Sequence, residues 1–282
     1  MVSVPIVPPK ILETLKAPGE ADGTTLVEQA GALMCPQTGA RYDCSEGIAR
    51  LLPGGGTAGA ASPSADSYAG LEEFGELVTK GYRDPYLRGL LKAIGANKRV
   101  LDCGCSNGQR ANFLQLNNNQ VLGIDLGLAD LRQAVQHKQH NQLLRVAFAQ
   151  MDPLDPAVKD DSMDVVVARH VLAAASDPTT ALRRLTGKVR HGGLIVVGLH
   201  NSFVPGGAGR RFSLDAVLGW FAAAGIDFVA CRPAILETDG EDGGAFVPTS
   251  TGSRYARLVT QIGWFFTNRA DAGTFDVMGR RR

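Results

Sequence analysis

The sequence predicts an α/β fold, a doubly wound and mostly parallel sheet with helices on both faces, and three observations carry that reading. Val100-Leu101 ends a short apolar run that passes through Asp102, Gly104, Ser106 and Gly108 into a helix beginning near Gln109. A second apolar run, Gln120 to Asp125, closes on an acid about 20 residues beyond that glycine turn. From there to His200, apolar runs and helical patterns alternate, as strands joined by crossover helices do.

Composition sets the outer limits. A chain of 282 residues has room for one large α/β domain with a small appendage. A net charge of +1 with 20% charged residues excludes a strong overall field that would draw the protein to nucleic acid or to an anionic membrane. No apolar run approaches the roughly 20 residues that span a bilayer, and Met1 to Lys10 lacks a charged head before an apolar stretch. The expectation is a cytoplasmic protein without membrane association, of open oligomeric state. Five cysteines, odd in number and irregular in spacing, form no disulfide framework. Cys103 and Cys105, inside the glycine turn, read as small semi-buried residues rather than catalytic thiols.

The turn carries the first functional signal. Glycine at 104 and 108 lets the backbone approach a ligand closely, and free N–H groups at a helix start favour negative charge. The loop therefore suits a nucleotide-like cofactor, and Asp125 stands where such folds place a carboxylate on ribose hydroxyls.

V-L-D-C-G-C-S-N-G followed by V-L-G-I-D resembles motifs I and II of the class I S-adenosylmethionine-dependent methyltransferases. Ser106 replaces a glycine common in the family, which removes one position free to take positive φ. The resemblance implies a Rossmann-like, seven-stranded sheet and S-adenosylmethionine as cofactor. It places Asp102, Gly104, Cys105, Ser106, Gly108, Asp125 and Leu126 around that cofactor. Leu144 to Ala149 reads as a third strand leading to Met151-Asp152, which match the family's ring-packing residue and adenine-binding acid; Asp152 could instead end the turn before Pro153. Ser162 to Ala173 resembles the motif IV strand and following helix, with Ala173-Ala174 where Glu-His is frequent.

His170 falls at the end of that strand, on the rim of the crevice and beside the cofactor, and His200 ends the strand that follows His191-Gly-Gly. Both are candidate catalytic bases, or hydrogen-bonded structural residues. Upstream, Leu71, Phe74, Leu77, Val78, Tyr82, Tyr86, Leu87, Leu90 and Leu91 recur at helical spacing. In the family this segment often folds over cofactor and substrate, making Tyr82 and Tyr86 acceptor-binding candidates; alternatively they are core aromatics of an amphipathic helix. Arg210 and Arg211, after a glycine-rich loop from Asn201, could pair with a carboxylate or phosphate on the acceptor, or lie on a solvated loop. Phe228 to Cys231 and Leu258 to Thr267 read as the two closing strands.

Residues 1–53 form a separate segment, followed by a Gly/Ala/Ser-rich linker over 54–66 and the methyltransferase domain over 67–282. Leu33 to Pro53 resembles the second half of a zinc ribbon fused ahead of many class I methyltransferases: Cys35, Pro36, Gly39, Tyr42, Gly47, Ile48, Leu51, Leu52 and Pro53 match. Thr38 stands where the ribbon's second cysteine belongs, and Ile11 to Gly19 holds no cysteine or histidine. Structural zinc needs four such ligands, so no metal is expected, and the degenerate ribbon is held by packing of Tyr42, Ile48, Leu51 and Leu52.

The functional expectation is a methyltransferase acting on a small-molecule acceptor, of the kind used in natural-product biosynthesis. One alternative is a ribosomal RNA guanine methyltransferase, in a family that carries this ribbon; near-neutral charge and missing zinc ligands weigh against nucleic acid. The other is a non-catalytic S-adenosylmethionine-binding module, against which the intact Asp102, Gly104, Gly108, Asp125 and Asp152 weigh. Neither the acceptor nor the atom methylated is readable from the chain.

Overall fold

The computed structural model describes residues 5–53, 74–200, 210–234, 247–248 and 274–282. The elements that carry the site run from β5 (Arg99–Cys103) through α4 (Gln109–Leu114), β6 (Gln120–Asp125), α5 (Leu128–His140), β7 (Val146–Gln150) and β8 (Met163–Arg169) to α6 (Pro178–Lys188) and β9 (Val189–His200). Three-residue strands β1 (Val27–Gln29), β2 (Ala32–Met34), β3 (Arg41–Asp43) and β4 (Ile48–Arg50) precede them, with the short helix α1 (Pro9–Leu12) at the start. Two helices, α2 (Phe74–Arg83) and α3 (Pro85–Ile94), lead into β5. Helix α7 (Leu214–Ala223) and strands β10 (Ile226–Ala234), β11 (Val247–Pro248) and β12 (Thr274–Arg281) follow β9.

The large sheet has nine strands in the order β11-β10-β12-β9-β8-β5-β6-β7-β4. Pairs from β9 to β4 are parallel, and β12 enters antiparallel between β9 and β10. Strand order reverses at β5, whose neighbours are β6 and β8, so the crevice opens at the carboxyl ends of β5 and β8. The seven strands expected form the body of this sheet; β4 and β11 extend its two edges. Leu258 to Thr267 and the 54–66 linker lie outside the described residues, and the strand between β9 and β10 is Thr274–Arg281.

Side chains alternate across the strands, which makes both faces apolar, as a parallel sheet covered on each side requires. Val100, Val121, Val146, Phe148, Val165 and Val167 face one layer built from Leu87, Leu90 and Leu91 of α3, Phe113 and Leu114 of α4, and Leu131 and Ala134 of α5. Leu101, Leu122, Ala147, Val166 and Ile195 face the other, built from Leu182 and Leu185 of α6, Val217 and Phe221 of α7, and the N-terminal segment. No helix lies between β7 and β8. That part of the sheet is covered by Val7, Ile11, Leu15 and Leu33, and Leu15 forms an isolated antiparallel bridge with Val158. The N-terminal segment thus supplies a layer of the main core, and Ile48 pairs in parallel with Phe148 of the large sheet. β1, β2 and β3 form a separate three-stranded antiparallel sheet.

The helical run before β5 is broken at Asp84-Pro85. Asp84 caps α3 by accepting N–H bonds from Tyr86 at 2.7 Å and Leu87 at 3.4 Å, and Pro85 takes the first helical position. Tyr82 and Tyr86 consequently lie on two helices rather than one.

Candidate active site

Strand β5 delivers the chain into a loop whose geometry follows from its small residues. Gly104 and Gly108 have φ of 68° and 78°, and a Cβ on Gly108 would sit 2.6 Å from the Ala134 Cβ and 2.7 Å from Phe148. These glycines let α5 and β7 close onto the loop as well as leaving room for a ligand. Ser106 corrects the sequence expectation: it takes positive φ, 49°, despite its side chain. Its N–H donates to Asp125 Oδ2 at 3.0 Å and its hydroxyl to Asp130 Oδ2 at 3.4 Å, which offsets a strain of about 1 kcal/mol.

Asp125, buried at the end of β6, also accepts the Gly127 N–H at 2.9 Å on its other oxygen. An ionised carboxylate has about four acceptor sites, so two remain for a diol. Met151 is buried, with its N–H on the Asp125 carbonyl, and half-buried Asp152 accepts the Leu154 N–H at 2.8 Å, the turn-closing bond that its position before Pro153 suggested. The half-buried Leu126 offers its carbonyl to Gln150. Burial pushes the Cys103 and Cys105 thiols well up, so both stay protonated.

Asp102 brings in a residue that the motif reading passed over. Arg110, the second residue of α4, turns its guanidinium back under the loop, where Nε and Nη2 reach Asp102 Oδ1 at 2.7 and 2.6 Å. Nη2 also donates to the Gly104 carbonyl at 3.1 Å. Burial disfavours the charge on this guanidinium, and Asp102 beside it more than offsets that, pushing its pKa up. Asp102 Oδ2 is buried without a hydrogen-bond partner. A cation in the first turn of a helix opposes the macrodipole, a misfit that does not by itself name the acid that draws Arg110 back under the loop.

The two candidate histidines come together. Their rings stack with centroids 4.4 Å apart and planes at 21°. His170 has φ of 62° and donates its N–H to the Gly198 carbonyl at 2.7 Å. Burial, reinforced by the charges of Arg169, His200 and Arg110, pushes its pKa down to about 3, and Nδ1 has no partner. Arg169 lies with its guanidinium 4.5 Å from the Tyr86 ring centre and 3.9 Å from Asp276. Gly198 clears the space, since a Cβ there would meet Arg169 Cγ and Asp276 Oδ1 at 2.5 Å.

The orphaned Asp102 oxygen, the spare acceptor sites of Asp125 and the glycine cradle between them fit a nucleoside bearing a charged tail. The profile of the family described as "Methyltransferase domain" matches residues 101–197. The ubiquinone biosynthesis O-methyltransferase of Aeromonas salmonicida is 31% identical over 167 residues, covering 58% of this chain and 70% of that protein. The chain belongs to the class I S-adenosylmethionine-dependent methyltransferases. The Acinetobacter baylyi protein of the same name is 25% identical over 176 residues, covering 61% of this chain and 73% of its own. The cyclase SpnF shares the fold with a TM-score of 0.52 at 19% identity, over 70% of this chain and 81% of that one.

As a methyltransferase the protein is an enzyme with S-adenosylmethionine as cofactor. Its acceptor-side candidates are scattered. Tyr86 is buried beneath Arg169, whereas Tyr82 is 45% exposed and meets Phe113 edge-on with centroids 5.3 Å apart. Arg210 donates to the Ala175 carbonyl and lies over the Phe212 ring; Arg211 is half-buried, and residues 201–209 of the preceding loop lie outside the described residues. Among the described residues, no three His, Cys, Asp or Glu side chains are grouped as metal ligands would be, and no helix is long and apolar enough to cross a membrane. Cys35 donates its thiol hydrogen to Gln37 Oε1 at 3.3 Å.

Proposed function

We propose that the methyltransferase transfers its methyl group to a hydroxyl of a small-molecule acceptor in the crevice beyond β5, β8 and β9. The observation that carries this reading is the stacked pair His170 and His200 at the mouth of that crevice. The names of the O-methyltransferase relatives support it. The cofactor supplies an already activated methyl, so the chain's task is alignment, plus removal of one proton when the acceptor is a hydroxyl. His170 is neutral at pH 7, and its low pKa makes it a weak base that positions the acceptor through hydrogen bonding. His200 is the residue assigned to take the proton.

On the cofactor side, Asp125 holds the ribose diol, and Met151 and Asp152 flank the adenine. Gly104, Cys105, Ser106, Gly108 and Leu126 form the surrounding wall, with Asp102 beneath the tail and His170 at its rim. On the acceptor side, Tyr82, Arg210 and Arg211 line the approach. Tyr86 acts through Arg169, against which it is packed. Residues 1–53 serve the domain over 67–282 as a covering layer, joined through 54–66.

The test is incubation with methyl-labelled S-adenosylmethionine and either hydroxylated aromatic quinone precursors or stripped ribosomal RNA. Label is expected in the small-molecule fraction, lost in His200→Ala at unchanged cofactor affinity. Label appearing only in the RNA would overturn the proposal.

A further inference from the structure

At the carboxyl ends of β8, β9 and β12 the sheet carries a cation whose hydrogen-bonding edge is unused. Arg169 and Asp276 both pair with Gly198, one from each neighbouring strand, and the missing Cβ of that glycine lets their side chains meet. They nevertheless approach only to 3.9 Å, between Nε and Oδ1, which is beyond hydrogen-bond length. The Tyr86 ring covers one face of the guanidinium, with its centre 4.5 Å from the guanidinium carbon. Nε is buried without a hydrogen-bond partner, and among the described residues nothing accepts from either Nη group. The guanidinium is thus held flat by a buried aromatic ring and balanced by a buried acid, while its fork of donors stays open on a side chain 28% exposed.

That open fork lies beside the residue assigned to take the proton. His200 follows Gly198 by two residues, so its side chain leaves the same face of the sheet as Arg169, about 7 Å further along by the rise of two strand residues. Arg210, by contrast, has its guanidinium engaged by the Ala175 carbonyl and the Phe212 ring. We propose that Arg169 determines acceptor specificity: its open edge binds a carboxylate of the acceptor, while the hydroxyl to be methylated faces His200. The substrate class is then a small hydroxy acid, with acid and hydroxyl on one compact frame. This rests on the crevice being the site of O-methyl transfer. A phosphate dianion suits the place less, because Asp276 stands beside the guanidinium and repels a second negative charge. Tyr86 and Asp276 act through Arg169 as positioning residues.

The experiment measures methyl transfer by the full chain from labelled S-adenosylmethionine to matched acceptors: protocatechuate and caffeate, each beside its methyl ester. In the wild type, kcat/KM for the acids is expected to exceed that for the esters about tenfold or more, the size of one charge-assisted contact. In Arg169→Gln that ratio falls to about one, chiefly through the KM of the acids, while calorimetry finds S-adenosylhomocysteine bound within about twofold of wild type. Arg169→Lys keeps the charge without the planar fork and retains part of the preference; it is the variant read if glutamine fails to fold. A wild type indifferent between acid and ester, or an Arg169→Gln protein that loses both activities at an unchanged ratio, overturns the inference and leaves O-methyl transfer in the crevice standing. A wild type that labels neither acids nor esters brings down both.

Discussion

His170 shows how backbone and electrostatics can meet in one residue. It occupies the left-handed region, uncommon outside glycine but one in which histidine is enriched together with asparagine and aspartate, and its ring is kept neutral by burial and by neighbouring cations. The unfolded chain holds a proton on this ring up to about 6.5, the folded one only up to about 3. The contribution to stability is therefore complete above pH 6.5 and is lost as pH falls through that window. His170→Asn keeps the backbone conformation and removes the titration, so its melting temperature is expected to decline less steeply than the wild type's between pH 6.5 and 4. Parallel slopes in thermal melts would refute this. Asp125→Ala is expected to weaken S-adenosylhomocysteine binding by about 1–3 kcal/mol, the cost of a charge-assisted hydrogen bond left unmade. Because Asp125 also holds the Ser106 and Gly127 N–H groups, amides of the glycine loop should exchange faster in this variant even without ligand. Asp125, Gly104 and Gly108 were legible in the sequence because local spacing sets their place. The Arg110–Asp102 pair was not, because it depends on a long side chain turning back under its own helix start.

At the scale of elements, parallel strands buried on both faces produce continuous apolar runs, which is why β5 to β9 could be read directly. The three-residue strands β1 to β4 carry no such period and are set by tertiary pairing alone. The division between α2 and α3 was readable in principle from Asp84-Pro85, an N-cap followed by proline, but periodic apolar residues on both sides masked it. Glycines test the packing argument in opposite directions. Gly108→Ala forces a Cβ against Ala134 and Phe148 at positive φ and is expected to cost about 2–4 kcal/mol, summing overpacking and backbone strain. Gly219→Ala, at an exposed site within α7 with open space around the new Cβ, is expected to stabilise by about 0.5–1 kcal/mol. Chemical denaturation of the two variants checks both signs.

Over the whole molecule, the segment that resembles a degenerate ribbon serves as part of the main core. Ile11, Leu15, Leu33 and Leu51 are buried in the same apolar layer as Leu101, Leu122 and Val166, and β4 closes one edge of the large sheet. Removing residues 1–53 strips that cover, so the remainder is expected to lose its cooperative thermal transition; a truncated chain melting as the full one does would contradict this. Within Cys35 to Pro53, Ile48 of β4 joins the large sheet beside β7 and Leu51 lies in its core, a placement that the sequence of this stretch does not reveal. If the carboxyl ends of β5, β6 and β7 form the cofactor crevice, hydrogen–deuterium exchange of the full chain with and without S-adenosylhomocysteine will show it. Slowed exchange is expected in peptides covering Asp102 to Gly108, Ile124 to Gly127 and Met151 to Leu154, with β1 to β3 unchanged. Saturating ligand that leaves those three stretches unprotected would contradict it.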